Sequence, residues 1–357
     1  MVASSTGRLH ELDSIRTIAI VSMTFGHVAN YSFLWLISHP VITVWDGASL
    51  FVLVSGIVVG LVYRSRIEKY GMAASAKKLL RRAGFLYLAQ LALVTLALTI
   101  AYTLPSAGAD QFRLPGVDSL PTAIGWALVL GANPIYVNFL SLYVVLLIAV
   151  IPMLYLLQHS RRLLATVLLV GLYVLGLQFP QAFTLPNGSQ GKSGFDMATW
   201  FVMFATGVWA GWVWRQRRAD ERLMSRRVLW IGVPGLVLFA AAALFITVAD
   251  TSYVDWWRDK GLMAPLRFAA AWVFFAGCYW LIRLVDRLPR GSRLTDQMAV
   301  LGARSLDAVV ILTLVTILSQ GLLGLDSATR PAQLLAIATV IAAWLWARYR
   351  ARVMVKV

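Results

Sequence analysis

Residues 10–31, HELDSIRTIAIVSMTFGHVANY, open with charged side chains and then run apolar far enough to enter a bilayer, yet a histidine stands inside the run. A helix needs about twenty mostly apolar residues to cross the hydrocarbon core. Nine further stretches meet that standard. The ten predicted spans are 15–37, 43–63, 80–103, 138–157, 163–179, 197–214, 228–249, 264–284, 297–321 and 331–347. The segment 121–132 (PTAIGWALVLGA) is apolar but too short, and reads as a re-entrant or interfacial helix. The expected fold is therefore all-α: a single polytopic membrane domain, 1–357, of about ten transmembrane helices.

The composition agrees. Of the 357 residues, 59% are hydrophobic and only 13% charged. A soluble domain has about a quarter of its residues charged, so the balance excludes ordinary soluble, disordered and disulfide-framed classes. Cys278 is the only cysteine. The net charge of +16 is distributed between apolar spans, which favours a lipid bilayer over nucleic acid as partner. One alternating set of connections holds 25 of the 32 lysines and arginines, and the other set holds five. This bias predicts both termini in the cytoplasm. The polar start before a full-length span is unlike a cleavable signal peptide. The loops on the opposite side, 104–137, 180–196 and 250–263, carry Trp, Tyr, Asp and Pro. Such residues suit sugar binding, and they also form the ordinary aromatic belt, which weighs more heavily.

Ionisable groups inside a span point to function. His27 lies about twelve residues into the first apolar run, near mid-bilayer by the helical rise. Arg16 lies eleven positions earlier and Asp13 three before that, so all three share one face. Their separation places an imidazole roughly 16 Å deeper than the guanidinium. An imidazole suits general acid–base work. The competing role, a histidine bonding helices together, is weaker here because of the register with Arg16 and Asp13. His10, His39 and His159 fall in loops or at span ends, and no metal-ligand spacing is present.

Further along, Asp46 stands at the outer start of span two, where Ser55, Gly56 and Gly60 form a small-residue face. That face suits close helix packing, and Gly56 also leaves room for a ligand. Lys77, Lys78, Arg81 and Arg82 crowd the inner entry to span three. They serve equally as a topology signal or as an anion site for phosphates. Asn138, Tyr143, Asp196 and Trp200 sit at the outer ends of spans four and six, as an acceptor pocket or as interfacial anchors. Arg304 and Asp307, at i and i+3, are placed to neutralise one another.

Taken in order, these segments resemble membrane acyltransferases of the acyltransferase-3 superfamily, and most closely the osmoregulated periplasmic glucan succinyltransferase branch. Arg16 and His27 match the superfamily's Arg, ten residues, His signature, and Asp13 fits the LDxxR before it. DGASLFVLVSGIVVGLVY, KKLLRRAGFLYLAQ, IYVNFLSLYVVLL, FDMATWFVMFATGVWAGW and LGARSLDAVV resemble branch segments. Ser49 stands where the branch has an acidic residue, and the sequence around Thr313 lacks the superfamily's histidine. The Arg-x-x-Arg before span three can be laid on Lys78 and Arg81 or on Leu79 and Arg82.

The resemblance implies an acyl-coenzyme A donor, succinyl or acetyl, whose phosphates meet Arg16, Lys78, Arg81 and Arg82. It implies His27 as general base, Asp13 as a group that orients Arg16 or lies near the donor entrance, and Ser55 or a cationic side chain as the donor to the oxyanion. The acceptor would be an extracytoplasmic glycan near Asp46, Asn138, Tyr143, Asp196 and Trp200, and the location the bacterial inner membrane. No metal is expected. A transporter of an anionic or lipid-linked solute is the rival class; it is weakened because the sequence shows no matching Gly/Pro-interrupted spans in the two halves. A membrane scaffold would have no need of His27.

Overall fold

The structure, a computed structural model, describes residues 9–30, 32–34, 45–104, 107–248 and 256–354. The end of predicted span one with His39, the first residues of span two and part of the 250–263 loop lie outside these described residues. The long elements are helices α1 (His10–Val28), α2 (Gly47–Thr103), α3 (Leu120–Leu128), α4 (Phe139–Gln158) and α5 (Arg162–Gln178). Strands β1 (Thr184–Asn187) and β2 (Gly191–Asp196) follow. Then come α6 (Met197–Val213), α7 (Arg226–Val248), α8 (Pro265–Val285), α9 (Gly291–Ala303), α10 (Ser305–Thr316) with a π-helical continuation Ile317–Leu322, and α11 (Arg330–Met354). Among the described residues, each predicted span falls mainly on helix. Among the described residues, five helices combine the length and apolarity of a membrane span: Gly47–Thr103, Phe139–Gln158, Pro265–Val285, Ser305–Leu322 and Arg330–Val353. The antiparallel β1–β2 hairpin is the one addition to the all-α expectation among the described residues.

Three boundaries differ from the sequence reading. Helix α1 begins at His10 and ends at Val28, so His27 occupies its last turn rather than its middle. Hydropathy misses the start because Glu11, Asp13 and Arg16 are charged yet buried, with Glu11 bonded to Arg283 at 2.9 Å. The second difference is at 64–82, predicted as a loop. There α2 continues as helix to a single break at Gly71 (φ 78°, ψ 168°). Its Lys, Arg, Glu and Ala residues are good helix formers, so charge marks the end of the apolar run without ending the helix. A Cβ at Gly71 would meet open space, so only its backbone conformation calls for glycine. Limbs 47–70 and 72–103 come together around one cavity. Third, predicted span nine is interrupted at Arg304 (φ −115°, ψ 32°), between α9 and α10.

Close packing fixes the site's frame. On α2, a Cβ at Gly60 would strike the Val208 carbonyl of α6; on α6, one at Gly211 would strike Ile57. Gly56 approaches Gly207 in the same crossing. The small-residue face is thus used for helix packing, with no space for a ligand. Helix α1 is held equally closely, since a Cβ at Gly302 would meet the Asp13 carbonyl. Ser14 also donates to the Thr295 carbonyl at 2.9 Å. Helix α3, the predicted short element, has nine residues and is too short to cross a bilayer.

Candidate active site

The two ends of α1 open into different cavities. At the Arg16 end lies a space of about 1100 Å³. Arg16, Lys69, Lys78, Arg82, Arg215 and Arg304 bring cations to its wall, and Asp13 and Asp307 bring carboxylates. Arg16 is buried, faces Asp13 at 3.5 Å and donates to Ser55 Oγ at 3.2 Å. The first turn of α10 also borders this space through Ser305, Leu306 and Asp307. Its leading backbone N–H groups add a positive partial charge. A cavity with more cations than carboxylates is suited to a ligand with several phosphates.

At the other end, Ser22, His27, Asn30, Asp46, Tyr136 and Asn138 border a cavity of about 380 Å³, together with Lys260 and the β2 residues Gly194 and Phe195. His27 is half-buried, and its ring lies 5.0 Å from that of Tyr136 at 53°. Tyr136 holds a left-handed backbone (φ 67°), a strained state for a bulky residue that often accompanies function. Gln320, in the π-helical turn, donates to the His27 carbonyl at 2.6 Å. That carbonyl is one of those left without an intrahelical partner at a helix end. Asp46 caps α2 by accepting from Ser49 N at 2.7 Å and Ser49 Oγ at 2.9 Å. Its other oxygen takes the Arg267 guanidinium.

A family model described as OpgC protein matches residues 8–355. The chain belongs to the OpgC family. No curated protein and no solved structure matches it. OpgC membership points to a glucan-modifying acyltransferase of the O-succinyl-transferring kind, in a helical membrane protein. The matched range contains both cavities.

Against the roles that the OpgC resemblance implied, the geometry sorts the residues. Arg16, Asp13, Lys78 and Arg82 share the large cationic cavity; His27, Asp46 and Asn138 share the small one. Arg81 borders a separate basic hollow with Arg66, Lys77 and Lys78. Ser55 is bonded to Arg16, about 12 Å along α2 from Gly47 at the His27 cavity, so it cannot serve an oxyanion beside His27. Asp13, about 21 Å along α1 from His27, faces Arg16 and does not reach the imidazole. Tyr143 is packed among Phe51, Phe139 and Phe204, behind the cavity. Asp196 caps α6 through Thr199 N at 2.8 Å, and burial pushes its carboxyl above the usual range. Trp200 is fully buried and donates to the Lys260 and Gly261 carbonyls, both at 3.1 Å. Asp307 meets Arg350 at 3.7 Å and Trp346 at 3.3 Å on α11, in place of the expected pairing with Arg304.

Sequence reasoning missed Lys69, Tyr136, Arg215, Lys260, Arg267 and Gln320. Arg267 alone carried a local signal, a cation at the edge of an apolar span.

Proposed function

We propose that this chain is an O-acyltransferase of the bacterial inner membrane, within the acyltransferase-3 superfamily. It would move a succinyl group from cytoplasmic acyl-coenzyme A to a hydroxyl of a periplasmic glucan. The observation that carries this reading is the pair of chemically different cavities at the two ends of α1. In this reading the chain crosses the membrane ten times with both termini inside, as its charge bias favours. The Arg16 cavity then faces the cytoplasm and the His27 cavity the periplasm.

The donor's phosphates rest among Arg16, Lys78, Arg82 and their cationic neighbours. Its pantetheine arm covers the roughly 16 Å of α1 between Arg16 and His27. A glucan hydroxyl enters the opposite cavity, where Asp46 and Asn138 supply hydrogen-bonding groups. A ring nitrogen of His27 accepts the hydroxyl proton as the oxygen attacks the thioester carbonyl. Ser22, Asn30 and Tyr136 border that cavity and are the candidates to donate to the oxyanion. Collapse breaks the C–S bond, the ester forms on the glucan, and the proton passes from His27 to the departing thiolate.

The test uses sealed vesicles with the cytoplasmic face outward and glucan inside. Acyl-coenzyme A added outside should acylate the enclosed glucan and release coenzyme A to the outer medium. Movement of intact solute without ester would establish the transporter instead. Acylation only with both substrates in one compartment would refute the through-membrane arrangement.

A further inference from the structure

Lys260 borders the His27 cavity, and the transfer step above makes no use of it. Its loop is firmly held. Besides the two Trp200 bonds, Leu262 N donates to Asp259 Oδ1 at 2.7 Å and Asp196 N to the Gly261 carbonyl at 2.9 Å. The ammonium is 40% exposed on the side-chain scale and reaches Asp46 Oδ2 only at 3.9 Å, the outer edge of an ion pair. Arg267 is far closer to that same oxygen, and its side chain is 7% exposed. The other Asp46 oxygen accepts twice from Ser49. One carboxylate therefore meets two cations, and the buried arginine already holds it. With His27 neutral as a base must be, the group formed by Asp46, Arg267 and Lys260 carries one surplus positive charge, and of its two cations Lys260 is the one that borders the cavity.

A surplus ammonium beside the reacting centre suits an anionic group that passes through the site. Resting on the acyltransferase reading, we propose that Lys260 Nζ is the subsite for a free carboxylate at the far end of the acyl group. The site would thereby select a dicarboxylic acyl donor over a neutral one. When the thioester carbonyl lies at His27, a succinyl chain extends two methylenes further and ends in a carboxylate. An acetyl group ends in a methyl and gains nothing from the ammonium. The enclosing cavity strengthens the contact, because charge-assisted bonds gain when water is excluded.

The test compares wild type, Lys260→Met and Lys260→Arg, each as full-length protein in vesicles with one neutral glucan. Succinyl- and acetyl-coenzyme A are supplied separately, and glucan ester and released thiol are measured. The readout is the ratio of kcat/KM for the two donors. Methionine should lower the succinyl-to-acetyl ratio at least about tenfold, or about 1.4 kcal/mol; arginine should restore most of it. An unchanged ratio in an active Lys260→Met protein overturns the subsite alone. Equal loss with both donors also overturns it, assigning the lysine to the acceptor or to the fold. A wild type that makes no ester from either donor overturns the acyltransferase reading, and the subsite with it.

Discussion

The two ends of α1 differ in kind. The Arg16 end is spacious, about 1100 Å³, and lined by six cations against two carboxylates drawn from distant parts of the chain. The His27 end is smaller, about 380 Å³, and sets neutral hydrogen-bonding groups and one lysine, Lys260, around a carboxylate that buried Arg267 balances. Uncompensated charge serves affinity for a soluble polyanion, and it acts at long range. In the proposed function, the mostly neutral lining of the His27 end serves orientation of a polyol and control of a proton, with a single cation, Lys260, beside it. One rigid helix carries both, so binding and chemistry are separable by substitution.

The strongest challenge to that division is His27→Ala. Loss of a general base should lower transfer by at least about 10²-fold. Coenzyme A affinity by calorimetry should stay within about twofold, since His27 borders the other cavity. A parallel loss of affinity would break the division. Next in size is a contrast within the basic cluster. Arg82→Ala should weaken coenzyme A binding about tenfold or more, in line with charge-assisted contacts of about 1.5–3 kcal/mol. Arg81→Ala should have a clearly smaller effect, because Arg81 borders the separate hollow. Equal effects would extend the donor site into that hollow. The smallest expected effect is that of Gln320→Leu. Removing one hydrogen bond of about 1 kcal/mol to the His27 carbonyl should lower kcat about fivefold with donor and acceptor KM unchanged. A change in KM alone would show that Gln320 shapes binding rather than the base.

Much of this was legible in sequence, and the limits have physical causes. Long apolar runs locate helices well, and among the described residues all ten fall mainly on helix. Ends are harder, because α1 begins among buried charges whose partners, such as Arg283 for Glu11, are far away in sequence. The Gly71 and Arg304 breaks hide because neither contains proline, and the surrounding residues favour helix. Arg16, His27, Asp46 and Asn138, which border the two cavities, stand out in sequence because a polar group at a span's edge or inside it is conspicuous. Lys260 and Gln320 were not, because a loop lysine and a glutamine are unremarkable until the fold brings them to His27. Trp200 and Asp196 looked like ligands for the same local reason, and instead tie the loop and cap the helix.

The Gly71 break has a consequence for biogenesis. With only one residue between its limbs, α2 can enter the membrane as a helical pair, its tip carrying Arg64, Arg66, Lys69, Lys77, Lys78, Arg81 and Arg82. In the proposed topology these side chains are also what retains the tip on the cytoplasmic side during insertion. Lys69, Lys78 and Arg82 then belong both to the proposed donor site and to the topogenic signal. Single replacements would leave enough charge to keep the orientation, whereas removing several at once would invert the pair before any ligand could be bound. If the proposed donor site is right, selection on it in this segment is constrained by the translocon as well as by the substrate.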